Sequence, residues 1–320
     1  MKILVTGGAG FIGSHIVEEL VRRGDTVRVL DNFSTGKREN IAPFADRIEL
    51  IEGDLRDFET VRKAVEGMDY ILHQGALPSV PRSIADPITT NEVNVGGTLN
   101  VLVAARDSNV KRVVYASSSS IYGEAKGRIK KESLSPNPLS PYALSKLTGE
   151  SYCRIFYSIY GLETVILRYF NVFGPRQDPF SQYSAAIPKF ITLMLEGKQP
   201  TIFGDGRQSR DFTYVQNVVQ ANLSAMVAPD AAGKVCNIAC SRSIELNKLV
   251  KLLNEILGTN ISPVYTSPRP GDIRHSLADI SNAKKFLGYY PKTNFEEGLK
   301  KTVEYFKSQT RNSNSISQPG

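Results

Sequence analysis

Short apolar segments alternate with amphipathic segments through the first half of the chain. The apolar segments are rich in Val, Ile and Leu, which is typical of strands that are buried on both faces. The predicted strands are Ile3–Thr6, Thr26–Leu30, Ile48–Ile51, Tyr70–Leu72, Arg112–Ala116 and Glu163–Leu167. The predicted helices are Phe11–Arg23, Asn91–Asp107 and Tyr142–Tyr160. This alternation predicts an α/β fold with a doubly wound parallel sheet of the Rossmann type.

The regular alternation of strands and helices ends at about Ile187. From there, segments rich in proline and glycine, such as Gly204–Gly206 and Pro268–Gly271, separate shorter predicted elements. We expect residues 1–170 to form the sheet domain, and 171–307 to form mainly a smaller C-terminal α/β lobe that binds substrate. Some later segments are expected to return to the sheet. Residues 308–320 are polar and lack apolar periodicity, so a disordered tail is predicted there.

Composition narrows the class of protein. The 320 residues are 41% hydrophobic and 22% charged, which is ordinary for a globular protein. No apolar run is long enough to span a membrane, and the chain opens directly on a strand, so we expect a cytoplasmic location. The net charge of +7 comes without a basic block interleaved with aromatics, so nucleic-acid binding is not expected. The three cysteines are expected to be free thiols, and no metal site is predicted.

A glycine-rich turn follows the first strand and opens the first helix. Gly7, Gly10 and Gly13 permit a tight turn and close approach of a pyrophosphate, and the helix that begins with Phe11 and Ile12 offers unpaired N–H groups to it. Asp31 ends the next predicted strand, where a carboxylate accepts hydrogen bonds from a ribose and repels a 2′-phosphate. The pattern therefore predicts NAD, in preference to NADP, as the cofactor. Further cofactor contacts are predicted for Asn32, Asp54, Leu55, Gln74, Lys146 and Tyr169.

Tyr142 and Lys146 stand four residues apart in a predicted helix, so both side chains leave the same face. An ammonium group favours the phenolate and is expected to lower the pKa of the tyrosine. The pair is a candidate proton shuttle for a hydroxyl group. Ser117–Ser120 follow a predicted parallel strand and are expected to reach the same crevice. A serine nucleophile is not expected, because no G-x-S-x-G or triad pattern is present.

Together these segments resemble the extended short-chain dehydrogenase/reductase family. The resemblance covers nearly the whole chain and includes Gly7–Gly13, Asp31, Tyr142 with Lys146, Arg168–Pro175, Arg210–Phe212 and Arg269–Asp272. Within the family the chain is similar to nucleotide-sugar epimerases of the UDP-N-acetylglucosamine and UDP-glucose 4-epimerase groups. The resemblance implies that Ser118 and Tyr142 are catalytic, and that Lys146 also holds the nicotinamide ribose. It further implies that a UDP-sugar is bound by Asn171, Arg210, Arg269 and Asp272.

The resemblance also bears on the sugar. Related 4,6-dehydratases carry Thr-Asp-Glu where this chain has Ser118, Ser119 and Ser120, so dehydration is not expected. Ser276 occupies a position where a bulky Tyr closes the sugar pocket, and a small residue admits a 2-acetamido group. Ser79, Val80 and Ala186 are further predicted substrate contacts, whereas Gly75 departs from the usual alanine. The expected reaction is C4 epimerisation, with UDP-GlcNAc/UDP-GalNAc preferred and UDP-Glc/UDP-Gal accepted.

Three alternatives remain open from the sequence. A UDP-glucuronate 4-epimerase or decarboxylase needs polar groups for the sugar carboxylate, for which Arg82 and Arg274 are candidates. A 4-keto-sugar reductase would use NADPH, which Asp31 opposes. A non-enzymatic nucleotide sensor could retain the same fold. The two long predicted helices resemble those of the dimer interface in this family, so a homodimer is expected.

Overall fold

The computed structural model describes residues 1–124, 127, 129–179, 186–268 and 274–316, with the backbone alone for residues 311–316. Within these residues no helix has both the length and the apolar character needed to cross a bilayer.

Strands and helices alternate through the first half of the chain. Its strands are β1 (Lys2–Thr6), β2 (Thr26–Asp31), β3 (Ile48–Glu52), β4 (Tyr70–His73), β5 (Arg112–Ser118), β6 (Ile129–Lys130) and β7 (Glu163–Tyr169). Its α-helices are α1 (Phe11–Arg22), α2 (Phe58–Val65), α3 (Val80–Ala85), α4 (Pro87–Asn91), α5 (Gly97–Asp107) and α6 (Pro141–Tyr160).

The second half contains shorter strands and further helices. The strands are β8 (Val172–Phe173), β9 (Thr201–Phe203), β10 (Ser209–Asp211), β11 (Thr213–Tyr214), β12 (Val235–Ile238), β13 (Ser243–Glu245), β14 (Val264–Thr266) and β15 (Leu277–Ala278). The helices are α7 (Ala186–Leu195), α8 (Val215–Val227), α9 (Leu246–Leu257), α10 (Ser281–Leu287) and α11 (Phe295–Ile316).

The central sheet has seven parallel strands in the order β12-β7-β5-β4-β1-β2-β3. This order confirms the predicted Rossmann-type sheet. It reverses direction beside β1, so the carboxyl ends of β1 and β4 border the crevice where such folds bind ligands. The last strand, β12, comes from the second half of the chain and pairs with β7.

Hydrophobic cores cover both faces of the sheet, because successive side chains of a strand point to opposite faces. Ile3 and Val5 pack in one core with residues of α1 and α8. Leu4 packs in the other, with residues of α2 and α5. A third core, rich in phenylalanine, joins α7, α9 and α11 and includes Phe173 and Phe295, whose rings lie 5.4 Å apart.

Two elements differ from the prediction. The expected helix Asn91–Asp107 contains a π-helical segment at Glu92–Gly96. There the Asn94 side chain bonds both the N–H and the carbonyl of Leu77, and a pair of glycines follows, which favours a local widening. The helix α11 also continues to Ile316, past the point at which we expected disorder from Ser308. After Gly298 in its first turn, α11 contains no proline or glycine, so backbone bonding can extend from its amphipathic first part.

Candidate active site

The helix α6 fixes the positions of Tyr142 and Lys146. Ser140 caps its start by accepting a hydrogen bond from the N–H of Ala143 at 3.1 Å, and Pro141 occupies the first turn. Gly161 ends the helix in a left-handed conformation. Both functional side chains thus lie within the first two turns of a capped helix, on the face that meets the sheet.

The side chains of Tyr142 and Ser118 lie close enough for the Ser118 hydroxyl to influence ionisation of the phenol. Burial raises the pKa of Tyr142, and the Ser118 hydroxyl opposes that rise. The expectation that Lys146 lowers this pKa is therefore wrong for the protein alone, because loss of hydration is the largest effect on the phenol. Ser118 accepts hydrogen bonds from the N–H and the hydroxyl of Ser120, at 3.1 and 2.9 Å. These bonds hold the hydroxyl of Ser118 at the end of β5, beside the phenol.

Lys146 is buried beneath the same cleft. Its ammonium donates to the carbonyl of Ala116 at 2.9 Å and lies 5.1 Å from the centre of the Tyr115 ring. Burial lowers the pKa of Lys146 to about 8. A cation held here costs desolvation energy, which a negatively charged or hydroxyl-bearing ligand would offset.

The glycine-rich turn connects β1 to α1 as predicted. Gly7 has φ +66°, and a Cβ on Gly13 would lie 2.1 Å from the carbonyl oxygen of Gly7. Gly10 precedes α1 and offers no side-chain cap. The first turn of the helix therefore presents N–H groups without a side-chain acceptor beside the cleft, which suits an anionic group.

Asp31 lies at the end of β2 and is 7% exposed. Its carboxylate accepts hydrogen bonds from the N–H groups of Ala9, at 2.9 Å, and Phe33, at 2.8 Å. Burial raises its pKa, and these two bonds oppose the rise. The carboxylate thus connects the glycine-rich turn to the strand, and its remaining lone pairs border the cleft.

Two polar groups extend the cleft on either side. Asn32 donates to Asp54 at 2.9 Å, and hydrogen bonds from Arg56 lower the pKa of Asp54 to about 2. On the other side the Tyr169 hydroxyl contacts Gln74 at 3.2 Å and Asn222 at 3.0 Å. No local sequence pattern points to Asn222, which lies 148 residues after Gln74 and accepts a hydrogen bond from the Gln74 amide at 3.0 Å.

One cleft contains all the residues predicted to contact the cofactor. These are Gly7, Gly10, Phe11, Ile12, Gly13, Asp31, Asn32, Asp54, Leu55, Gln74, Lys146 and Tyr169, and Tyr142 lines it with them. Ser117, which was expected to reach this crevice, lines it as well. The prediction missed further lining residues at or after strand ends, namely Ser34, Thr35, Ala76, Leu77, Pro78 and Ala116, and also Val93. Their place directly after predicted strands was the available signal, because parallel strands deliver ligand contacts at their carboxyl ends.

Two predicted substrate residues lie at the start of α3. Ser79 has φ +103°, which is strained for serine, and its hydroxyl accepts from the N–H of Arg82 at 3.3 Å. Val80 follows with 38% exposure. Ser119 and Ser120 begin the 3-10 turn after Ser118 and are partly buried. Both segments directly adjoin residues that line the cleft.

Three other predicted substrate residues meet around β10. The side-chain amide of Asn171 donates to the backbone carbonyl of Asp211 at 3.2 Å. The backbone N–H of Ser276 donates to the backbone carbonyl of Ser209 at 3.0 Å. Arg210 stands between these two β10 residues and donates to the carbonyl of Ser209. Ala186 begins α7 and is partly buried. Arg269 and Asp272 lie outside the described residues.

A family model, described as the NAD-dependent epimerase/dehydratase family, matches residues 3–239. The chain belongs to this family. The match includes the glycine-rich turn, Asp31, Ser118, Tyr142 and Lys146. The cofactor is therefore NAD.

Solved and curated relatives cover almost the full length of this family member. A UDP-N-acetylglucosamine 4-epimerase from Methanobrevibacter ruminantium, solved with UDP-N-acetylmuramic acid, is 44% identical with a TM-score of 0.92, over 96% of this chain and 98% of its own. The UDP-glucose 4-epimerase of Thermotoga maritima, solved with UDP-glucose, is 41% identical with a TM-score of 0.92, over 97% and 100%. A putative UDP-glucose 4-epimerase of Methanocaldococcus jannaschii is 39% identical over 97% of this chain and 99% of that protein.

The cleft fits the cofactor that the family uses. A Cβ on Gly7 would lie 2.7 Å from the Cα of Gly75, so this position has room only for glycine. The backbone of Gly7 therefore lines the cleft without a side chain in the way of a ligand. Uncapped N–H groups at α1 suit a pyrophosphate, and the Asp31 carboxylate suits a ribose diol. We assign these groups to NAD, with Lys146 nearest to the candidate catalytic tyrosine.

Proposed function

We propose that this protein catalyses the reversible C4 epimerisation of UDP-sugars through a 4-keto intermediate. The observation that carries the proposal is that the Tyr142 phenol and the Lys146 ammonium line one cleft with the predicted NAD contacts, and that the Ser118 hydroxyl at the end of β5 lies beside the phenol. The activities named for the relatives at 39–44% identity support it. When held by the glycine-rich turn, Asp31 and Lys146, NAD would supply a reversible hydride acceptor for C4.

Side chains of the protein transfer the proton of the C4 hydroxyl and hydrogen-bond its oxygen. Tyr142, as phenolate, takes the proton of the C4 hydroxyl and later gives it back. Ser118 donates a hydrogen bond to the same oxygen. The buried Lys146 ammonium favours the phenolate once substrate and cofactor exclude water from the pair. The keto sugar then rotates about its diphosphate link and presents its other face, so the configuration at C4 is inverted.

The nucleotide must stay bound while the sugar turns. We assign this role to the group around β10, where Asn171, Arg210 and Ser276 converge. A guanidinium suits a diphosphate because it offers several donors in one plane. Arg269 and Asp272 complete the proposed set from the resemblance alone.

We further propose that the acetamido sugars UDP-GlcNAc and UDP-GalNAc are preferred, with UDP-Glc and UDP-Gal accepted. The small Ser276 beside β10 supports this preference, as does the N-acetylated ligand of the Methanobrevibacter relative. For the uronic acid alternative, Arg274 was a candidate receptor. It is instead exposed and paired with Asp205 at 2.9 Å, which leaves it less suited to a sugar carboxylate.

The test is incubation of the purified protein with UDP-GlcNAc, UDP-Glc and UDP-glucuronate in separate reactions, without added NAD, followed by NMR of the products. We expect the C4 epimers of the first two, with the larger kcat/KM for UDP-GlcNAc. Exclusive use of UDP-Glc would overturn the preference. Conversion of UDP-glucuronate alone would overturn the proposed substrate class.

We also infer a homodimer. The outer face of α6 exposes Leu144 (55%), Ile155 (44%) and Ile159 (68%), and Ile84 and Ile88 near by are 63% and 72% exposed. These residues lie on α6 and on the adjacent helices α3 and α4, and exposed apolar side chains clustered on neighbouring helices are typical of an interface. Light scattering on the purified protein tests this, and a monomer at micromolar concentration would contradict it.

A further inference from the structure

A buried ion pair lies beneath the candidate catalytic residues. Glu150 on α6 and Arg168 on β7 are each 1% exposed. The Nε of Arg168 donates to one carboxylate oxygen of Glu150 at 2.9 Å, and its Nη2 donates to the other at 2.7 Å. This bidentate geometry fixes both the separation and the orientation of the two side chains.

Hydrogen bonds from this pair reach the chain on both sides of Ser118. The Ser117 hydroxyl donates to Glu150 at 2.5 Å, and Arg168 donates to the Tyr122 hydroxyl at 2.8 Å. The Tyr122 hydroxyl donates in turn to Asn237 on β12 at 2.7 Å. Ser118 therefore lies in a short segment whose two flanking residues are both tied to the ion pair.

The same carboxylate belongs to the helix that carries the acid/base candidate. Glu150 follows Lys146 by one turn and Tyr142 by two turns of α6. The ion pair thus connects the helix that holds Tyr142 to the strand end that holds Ser118. A shift of about 1 Å between reacting groups can cost about a hundredfold in rate, so this connection bears directly on catalysis.

We propose that Glu150 and Arg168 are positioning residues, which hold the Ser118 hydroxyl against the Tyr142 phenol through Ser117 and Tyr122. The inference rests on the proposed epimerase function. Neither side chain lines the cleft, so their action on the reaction passes through the two residues that they position.

A second Arg–Glu pair provides a matched control on the same two strands. Arg112 on β5 bonds Glu163 on β7 at 2.7 Å, at the opposite end of both strands from the cleft. Glu163 is 45% exposed, and the buried Arg112 guanidinium also donates to the carbonyls of Ala225 and Ala228, so it keeps those two acceptors when the carboxylate is replaced. Glu150→Gln and Glu163→Gln therefore make the same chemical change at the two ends.

The experiment compares both variants with the wild type in kcat, KM and the pH dependence of kcat. For Glu150→Gln we expect kcat to fall at least about tenfold with KM changed less than about twofold, and the acidic limb of the profile to move to higher pH. Burial raises the pKa of Tyr142 and the Ser118 hydroxyl opposes that rise, so moving this hydroxyl away from the phenol raises the pKa further. The other titratable groups near Tyr142 are Lys146 and Tyr169, which line the cleft, and the packed pair of Tyr115 and His73. Neither variant changes any of these four residues. For Glu163→Gln we expect kcat within about twofold at every pH.

Crystal structures of both variants test the geometry whether or not the protein turns over a UDP-sugar. We expect the distance between the Ser118 and Tyr142 hydroxyls to increase in Glu150→Gln and to match the wild type in Glu163→Gln. An inactive wild type would therefore count against the proposed function alone. If Glu150→Gln does not fold, Tyr122→Phe replaces it, because it removes only one hydroxyl of the connection; there we expect a severalfold fall in kcat. An unchanged distance between the two hydroxyls, or a loss of kcat by the same factor at every pH, would overturn the inference.

Discussion

The two ends of β5 and β7 each carry an Arg–Glu pair with a buried guanidinium, and they differ in the exposure of the carboxylate. At the amino ends, Arg112 pairs with the half-exposed Glu163. At the carboxyl ends, Arg168 pairs with the buried Glu150. An ion pair that reaches water contributes roughly 0–1 kcal/mol to stability, whereas removing one partner of a fully buried pair costs about 3–5 kcal/mol.

The same contrast holds across the sheet. The surface pair of Lys111 and Asp69, at 3.0 Å, lies at the amino ends of the strands. At the carboxyl ends, polar side chains such as Asp31 and Ser117 are buried and hydrogen-bonded. Burying polar groups carries a desolvation cost that only specific partners offset. Their concentration at one edge therefore marks the edge that binds and acts on a ligand.

The largest effect is expected for Tyr142→Phe at the carboxyl end. The variant keeps the ring and loses the proton acceptor, so kcat should fall by about 10²–10⁴. NAD content, measured on the released nucleotide, should stay at the wild-type level. Retention of more than a tenth of the wild-type kcat would contradict the role assigned to Tyr142.

Ser118→Ala removes the hydroxyl beside the phenol, which we propose to bond the C4 oxygen, and leaves Tyr142 in place. A lost hydrogen bond to a charged group costs roughly 1.5–3 kcal/mol, so kcat should fall by about 10- to 100-fold. Without that hydroxyl the pKa of Tyr142 rises further. Because only the phenolate accepts the proton, the acidic limb of the pH profile should move to higher pH. A profile that keeps its midpoint would show that Ser118 does not act on Tyr142.

Ser276→Tyr tests whether Ser276 sets the sugar specificity of the proposed site. A phenol ring at this position should exclude the acetamido group, so kcat/KM for UDP-GlcNAc should fall at least about tenfold more than that for UDP-Glc. The backbone bond from Ser276 to Ser209 does not involve the side chain and should survive. Ser276→Ala is the control, with both substrates nearly unaffected. An equal loss for both sugars would remove Ser276 from the specificity assignment.

The smallest effect is expected for Glu163→Gln at the amino end. Its carboxylate is largely hydrated, so the free energy of unfolding should fall by less than about 1 kcal/mol. Urea unfolding measures this directly. A loss of several kcal/mol would show that the two ends of the sheet are more alike than their exposure suggests.

Local patterns were enough to predict the parts of the site that depend on local geometry. The glycine-rich turn, Asp31 and the Tyr142–Lys146 pair each require only neighbouring residues and one element of secondary structure. The contacts of Asn222 with Gln74 and Tyr169 join residues that are far apart in the chain, and no local pattern encodes them. The pKa of Tyr142 was misjudged for a related reason, since burial is a property of the whole fold.

The central claim is that C4 is oxidised and then reduced on its other face without exchange with solvent. UDP-GlcNAc carrying deuterium at C4 tests this most directly, with NMR of the UDP-GalNAc that forms. We predict that the product retains the deuterium at C4, because the hydride that leaves is the hydride that returns. Loss of the label to water, or no formation of the C4 epimer, would contradict the account.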